Sequence, residues 1–307
     1  MVAAKWGATG ATQAQPQTQA ASSSKAIRPH RAPGGCAHVC PFAGPFGCSM
    51  LLASPTNNQE PEMIPRLYLP PDSGATTDPT LTGASLPLSK EQSHYLARVL
   101  RLEEGAALVV FDGCGGEWEA TFLPPATAHI GTPTGRNPES PLDLTLACAI
   151  GKGDRFDWVL QKATEAGVTR IVPLLTRRTQ VKIEAGQKEE RKLERWQAIV
   201  MEAAEQSERT VIPEIAPPIT PSRLDLSIPT LVAFERGGRP MEQLLADIPT
   251  GPLQIAIGPE GGWDPEEVAD LSGRGAHLLS LGPRILRMET AALAVVALAQ
   301  ALRGDWR

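Results

Sequence analysis

From residue 142 to the C-terminus, apolar positions fall into two alternating rhythms. Short continuous runs at 142–150, 169–174, 231–235, 253–257 and 277–281, with a lesser one at 211–215, predict buried strands. The intervening segments carry helical spacing. One helix is predicted over about 154–166, stopped by Gly167, which suits a C-terminal cap. A second covers about 189–208, with Leu193, Trp196, Ile199, Val200 and Ala203 on one face. A third starts at Asp264, where Pro265 takes the first helical position beside Glu266 and Glu267. The last closes the chain over 289–302. Strands alternating with helices predict an α/β domain whose parallel sheet is covered on both faces.

The preceding segment has a different rhythm. Runs at 66–69, 107–111 and 118–123 predict short strands, and the turn Asp112-Gly113-Cys114-Gly115-Gly116 makes the last two a hairpin. Ser89 caps a predicted helix over 90–100, with Leu96, Val99 and Leu100 at helical spacing. These elements predict a small β-barrel-like domain over 63–123. The Gly-, Pro-, Thr- and Asn-containing stretch 124–141 reads as a linker to the domain at 142–307. Residues 1–62 are Ala-, Gln-, Ser-, Thr-, Gly- and Pro-rich, with no acidic residue before Glu60, and are expected to be disordered. Such a segment fits an organellar transit peptide or an extension upstream of a true start at Met50 or Met63.

Composition narrows the classes. A chain of 307 residues with 42% hydrophobic content accommodates two ordinary domains, and no run of 18 apolar residues exists to cross a membrane as a helix. The net charge is −5; without residues 1–62, which hold four Lys/Arg and two Asp/Glu, it is −7. A general polyanion binder is therefore not expected, and contact with nucleic acid would rest on local basic groups. One such group is Lys152, Arg155, Lys162, Arg170, Arg177, Arg178 and Lys182; another is Arg66, Arg98 and Arg101. Cys36, Cys40 and Cys48, with His38 among them, lack the second paired half that zinc sites usually show, so no metal is expected. Cys114 and Cys148 suggest no disulfide framework.

The chain has no G-x-G-x-x-G after a strand, no G-x-x-x-x-G-K-[ST] and no G-x-S-x-G. His94, His129 and His277 assemble no triad or metal site. What remains is a pair of glycine-proline loops, each leaving a predicted strand: Gly258-Pro259-Glu260-Gly261-Gly262-Trp263 and Gly282-Pro283-Arg284-Ile285-Leu286-Arg287. The second runs into Met288-Glu289-Thr290-Ala291-Ala292, whose small residues allow close backbone approach. Loops at the carboxyl ends of neighbouring parallel strands are where open α/β sheets bind ligands. The spacing points to a ligand site and leaves the ligand open.

These residues resemble a known family. Ile257–Gly262 and Leu281–Ala291 are similar to the signatures of the RsmE family, ribosomal RNA small-subunit uridine-N3 methyltransferases of the SPOUT superfamily. Gly153-Asp154-Arg155-Phe156-Asp157, Gln161–Val168, Arg195–Ile199 and Glu202–Ser207 resemble its catalytic domain. His94–Arg101 and Phe111-Asp112-Gly113 resemble its N-terminal PUA-like RNA-binding module. The likeness runs from about Ile64 to the C-terminus, and residues 1–62 have no counterpart.

The resemblance implies a trefoil-knotted SPOUT-type α/β domain after a PUA-like β-barrel, a homodimer, and methylation of N3 of a uridine in 16S ribosomal RNA of the small subunit. It implies S-adenosylmethionine as cofactor, held by Gly258, Pro259, Glu260, Gly261, Gly262, Leu281, Gly282, Ile285, Leu286 and Arg287, with a third contact at Arg236, Gly237 and Gly238. Arg287 or Arg284 would stabilise charge on the uracil carbonyls, with Glu289 or Glu260 orienting it or taking the proton; either carboxylate could instead only cap local N–H groups. RNA contacts are expected at His94, Arg98, Arg101, Arg155, Arg177 and Arg178. The expected location is the cytoplasm, or a chloroplast or other organelle if residues 1–62 are a transit peptide. Another target nucleotide, or a noncatalytic RNA-binding assembly role, are the alternative readings.

Overall fold

The computed structural model describes residues 64–70, 81–181 and 186–306. The extension 1–62 with Cys36, His38, Cys40, Cys48 and Met50, together with Met63 and Lys182, lies outside the described residues.

Period-2 burial builds the first unit. β1 (Arg66–Tyr68), β2 (Ser85–Pro87), β3 (Ala107–Phe111), β4 (Glu117–Leu123) and β5 (Thr127–Pro133) form a five-stranded sheet in the order β1-β3-β4-β5-β2. Its inward residues, Leu67, Leu86, Leu108, Val110, Trp118, Phe122, Ala128 and Ile130, share one core with Leu96. The expected β3–β4 hairpin is present, its turn closed by Asp112 Oδ1, which accepts from the amides of Cys114 (2.8 Å) and Gly116 (2.9 Å). β5 corrects the reading of 124–141 as linker. Its Gly, Thr and Pro content hid an alternation in which Ala128 and Ile130 point inward. The sheet ends at β1 and β2, which do not pair with each other.

The predicted helix at 90–100 is two structures. α1 (Lys90–His94) has the full capping box, with Ser89 and Gln92 satisfying each other's amides. Tyr95–Val99 then widens into a π-helix and ends at Arg101, whose φ is +56°. That widening leaves Tyr95, Val99 and Leu100 exposed beside His94, Arg98 and Arg101, while Leu96 is buried.

The second unit is a six-stranded sheet in the order β11-β9-β10-β6-β7-β8, every pair parallel. Its strands are β6 (Leu144–Ala149), β7 (Arg170–Leu174), β8 (Glu214–Ile215), β9 (Thr230–Ala233), β10 (Leu253–Ile257) and β11 (His277–Leu279). β6 and β10 are buried at every position, as strands covered on both faces must be. The helices are α2 (Arg155–Glu165), α3 (Gln187–Gln206), α4 (Met241–Asp247), α5 (Pro265–Gly273) and α6 (Met288–Arg303). Phe156 and Trp196 lock α2 to α3 edge to face at 4.8 Å between ring centroids. Seven-residue α4 was not predicted; it is anchored by Met241, Leu244 and Leu245.

One topological feature positions the site. β11 pairs with β9 along one edge, and on its other edge Arg239 donates its amide to Leu278 O (3.0 Å) and accepts from Ser280 N (3.0 Å). β11 is thus hydrogen-bonded on both edges by the single stretch 230–239.

Where the two sheets meet, a backbone bridge joins Cys114 to Val211 and buried arginines bond across the junction. Arg66 pairs with the buried Glu117 and donates to Arg209 O (2.6 Å). Arg209, 4% exposed, binds Glu139 and the carbonyls of Thr164 (2.9 Å) and Val168 (2.8 Å). Each charge in such a buried set is tolerable because its partner is present. Arg66 is therefore part of this junction and does not join Arg98 and Arg101 in the basic cluster expected on the small domain.

α3 also packs on β1, bringing Glu205 to the same junction. Burial pushes the Glu205 carboxyl up to about 7, against the pull of the Tyr68 backbone amide and Arg66 and with help from Glu202. Between its ordinary 4.5 and about 7, the folded protein keeps a proton that the unfolded chain has lost. This contribution is complete below the unfolded value and falls away as pH rises through that window. Glu205→Gln, which mimics the protonated acid, should stabilise the protein at pH 8 by about 1–3 kcal/mol. Near pH 5 the difference should shrink below about 1 kcal/mol, as read by urea unfolding at both pH values.

Candidate functional site

Three adjacent strands, β11, β9 and β10, end on the same side of the sheet, and their outgoing loops enclose a cleft of about 460 Å³. The end of β9 and its loop contribute Ala233, Phe234, Glu235 and Arg236; the end of β10 and its loop contribute Ile257 and the run Gly258–Trp263. The loop after β11 contributes Leu281, Gly282, Arg284, Ile285, Leu286 and Arg287. Arg155 at the start of α2, and Met288 and Ala291 in the first turns of α6, complete the wall.

Local packing explains the glycines. A Cβ on Gly258 would lie 2.8 Å from Trp263 Nε1, so only glycine lets that buried ring fold back on the loop. Trp263 then donates Nε1–H to Ala233 O (2.9 Å), tying the β10 loop to the end of β9. Gly262 has φ of +71°, a left-handed conformation, and a Cβ there would stand 2.9 Å from Glu235 Oε1. Gly261, by contrast, has room: its nearest neighbour would be Arg178 Cβ at 3.4 Å. Asp264 caps α5 with a full capping box, so the loop passes directly into an ordered helix.

Every residue expected in the two Gly-Pro loops for cofactor contact lines the cleft, as does Arg236, while Gly237 and Gly238 do not. Arg284 and Arg287 are exposed, and their guanidiniums have no ion-pair or hydrogen-bond partner among the described residues. The expected orientation of either arginine by Glu289 or Glu260 is not formed. Glu260 Oε1 instead accepts from the Lys152 amide (2.9 Å) and faces Arg155 Nη1 at 3.5 Å. Glu289 is outside the cleft lining, with Oε2 buried and unpartnered. Burial first, and then the Glu260 and Glu289 carboxylates, push the Cys148 thiol well above the usual range, so a neutral thiol underlies the site.

The expected RNA-contact residues divide. His94, Arg98 and Arg101 are exposed on the π-helical segment. Arg155 belongs to the cleft. Arg177 is held by acids of the α5 start: its amide donates to Glu267 (2.9 Å), and its guanidinium pairs with Asp264 and Glu266. Arg178 donates to Gly261 O (3.2 Å) and so buttresses the β10 loop. Lys162 and Arg170 are paired with Glu165 and Glu214. Sequence reasoning missed Phe234, Glu235, Trp263 and Ala291 as cleft residues. The nearest signal was the run of small residues opening α6, because contacts between distant loops leave no local pattern.

Among the described residues, no group of three or more His, Cys, Asp or Glu could hold a metal ion, and no helix is long and apolar enough to cross a membrane.

Comparison with known proteins agrees on both units. The family described as an RNA methyltransferase domain matches residues 138–300, and the RNA methyltransferase PUA domain matches residues 88–124. The ribosomal RNA small subunit methyltransferase E of Synechocystis sp. is 41% identical over 226 residues, covering 71% of this chain and 72% of that one. The Neisseria gonorrhoeae enzyme of the same name, solved bound to S-adenosyl methionine, is 33% identical with a TM-score of 0.70, covering 80% of this chain and 100% of that one. A Legionella pneumophila methyltransferase solved with bound SAM is 36% identical with a TM-score of 0.70, covering 79% of this chain and 99% of that one. The mixed α/β catalytic unit with its parallel sheet, preceded by a PUA-like unit, is therefore of the SPOUT kind, and the chain belongs to the ribosomal RNA small subunit methyltransferase E family.

Proposed function

We propose that this protein methylates N3 of a uridine in small-subunit (16S) ribosomal RNA, using S-adenosylmethionine and acting as a homodimer. The observation that carries the reading is the three-loop cleft in a chain whose solved relatives hold that cofactor. The cleft suits the ligand: about 460 Å³ lies in the range of small-molecule sites, Gly258, Gly261 and Gly262 line it, and Ile257, Leu281, Leu286 and Ala291 offer apolar surface. When bound, S-adenosylmethionine supplies an electrophilic methyl group on its sulfonium sulfur.

The chain's task is to make uridine N3 a nucleophile. Removing the N3 proton puts negative charge on the flanking carbonyl oxygens, and on this reading the guanidiniums of Arg284 and Arg287, which line the cleft, stabilise it. His94, Arg98 and Arg101 supply phosphate contacts on the small domain, and the exposed Tyr95 ring beside them offers a surface for base stacking. β11, held on both edges by the stretch 230–239, belongs on this reading to a trefoil knot that holds the cleft walls together.

For the dimer, α2 and α6 pack on each other and expose Trp158, Leu298 and Leu302 at 39%, 42% and 37%. Ala291, Ala294, Leu298 and Leu302 recur at helical spacing along α6, so a second copy on that stripe would sit beside the cleft that Ala291 lines. The site of action follows the substrate: the cytoplasm, or a chloroplast or other organelle if residues 1–62 are a transit peptide.

Three outcomes check the reading. Calorimetry should detect S-adenosylmethionine binding to the wild-type protein, and Gly262→Val should weaken it at least about tenfold by filling space the backbone needs. No binding by the wild-type protein would refute the enzyme reading. Mass spectrometry of small-subunit RNA from a deletion strain should show 3-methyluridine lost and restored by the wild-type gene. Arg287→Ala should restore it poorly, with turnover down about 10²–10³-fold and cofactor affinity within about threefold. Persistence of 3-methyluridine in the deletion strain would assign the target elsewhere. Leu298→Asp should shift the protein to monomer in gel filtration; an unchanged elution volume would move the interface off α6.

A further inference from the structure

Resting on uridine N3 as the reacting atom, we infer that Glu260 and Arg155 together read the uracil imide edge and that Glu260 takes the N3 proton. Both side chains line the cleft, reaching it from different elements: Arg155 from the first turn of α2 and Glu260 from the β10 loop. They face each other at 3.5 Å, and both contacts to the carboxylate fall on one oxygen. Oε1 is held by the Lys152 amide at 2.9 Å and by Arg155, while Oε2 accepts from no described residue. The acid is thus fixed by backbone on one side and retains an acceptor for a ligand on the other. Gly151 allows this arrangement, since a Cβ there would lie 2.6 Å from Met288 Cε and 3.4 Å from Glu260 Oε1.

The other acids at the cleft are less suited. Glu235 stands against Gly262, and Glu289 is outside the lining. Glu260 is the cleft carboxylate with a cationic neighbour in place.

A fixed acceptor next to a fixed donor complements the uracil imide edge when N3 lies at the carboxylate. Uracil presents N3–H to the carboxylate and a carbonyl oxygen to the guanidinium. With N3 held in that same position, cytosine presents a bare N3 to the carboxylate and an amino group to the guanidinium, so both contacts become repulsive. RNA bases are commonly read on this edge once unstacked. In the reaction, the N3–H bond breaks and its proton passes to Glu260 Oε2. The electron pair left on N3 forms the new N3–C bond, and sulfur keeps the electrons of the broken S–C bond. Arg155 offsets the charge that gathers on the carbonyl oxygen during transfer.

The test uses the full chain with small subunits lacking the modification, reconstituted with uridine or cytidine at the methylated position. With S-adenosylhomocysteine present to prevent turnover, the wild-type protein should prefer uridine-bearing subunits about tenfold or more. Glu260→Gln and Arg155→Ala should reduce that preference to about twofold or less. Glu260→Gln should also lower kcat about 100-fold while raising KM for subunits no more than about fivefold, and Glu260→Asp should recover part of kcat. S-adenosylmethionine affinity of each variant should stay within about threefold of wild type, which also reports an intact fold. Undiminished uridine preference or kcat in Glu260→Gln would overturn the inference. So would loss of cofactor affinity in both Glu260 variants, which would assign the acid to the cofactor. A wild-type product other than 3-methyluridine would instead overturn the function on which the inference rests.

Discussion

The cleft exists because β11 is hydrogen-bonded along both edges by one short stretch of chain. β9 pairs with it on one side, and Arg239, six residues beyond the end of β9, holds it on the other. This places the carboxyl ends of β11, β9 and β10 side by side, with their three loops converging. Remove that double pairing and the loops after β9 and β11 have no common wall. The surrounding glycines and Trp263 then decide how closely the loops approach, with the Trp263–Ala233 hydrogen bond joining two of the three.

Charge is distributed unevenly for a reason of the same kind. The chain is acidic overall, with a net charge of −5, yet arginines surround the cleft. Those with structural duties are neutralised: Arg66 by Glu117, Arg209 by Glu139, Arg177 by the acids that open α5. The guanidiniums of Arg284 and Arg287 are left at the rim without partners among the described residues. Free arginines at a cleft are available to anions in a way that paired ones are not. Counting basic residues along the chain does not distinguish the paired arginines from the unpaired ones; their partners do.

The junction and the cleft region each hold carboxylates in distinct surroundings. Glu205 sits at the contact of the two sheets with its proton retained by burial, and Glu289 keeps one oxygen buried without a partner. Glu260 differs because the Lys152 amide and Arg155 hold it at the surface of the cleft. Three acids of the same type thus stand in three different packing environments.

The alternation of apolar runs and helical faces was enough to determine the α/β class, most strands and helices of the larger unit, and both Gly-Pro loops. Strand and helix periods are local properties, and glycine with proline marks a turn wherever it lies. The segment 124–141 misled because Gly131, Thr132 and Pro133 disguise β5, and α4 was too short for its period to register. The partners of each side chain were decided only by tertiary structure. Glu260 meets Lys152 and Arg155 across more than a hundred residues of sequence, and Arg239 meets β11 across about forty. No pattern along the chain encodes such meetings, because the order of parallel strands in the sheet differs from their order in the sequence.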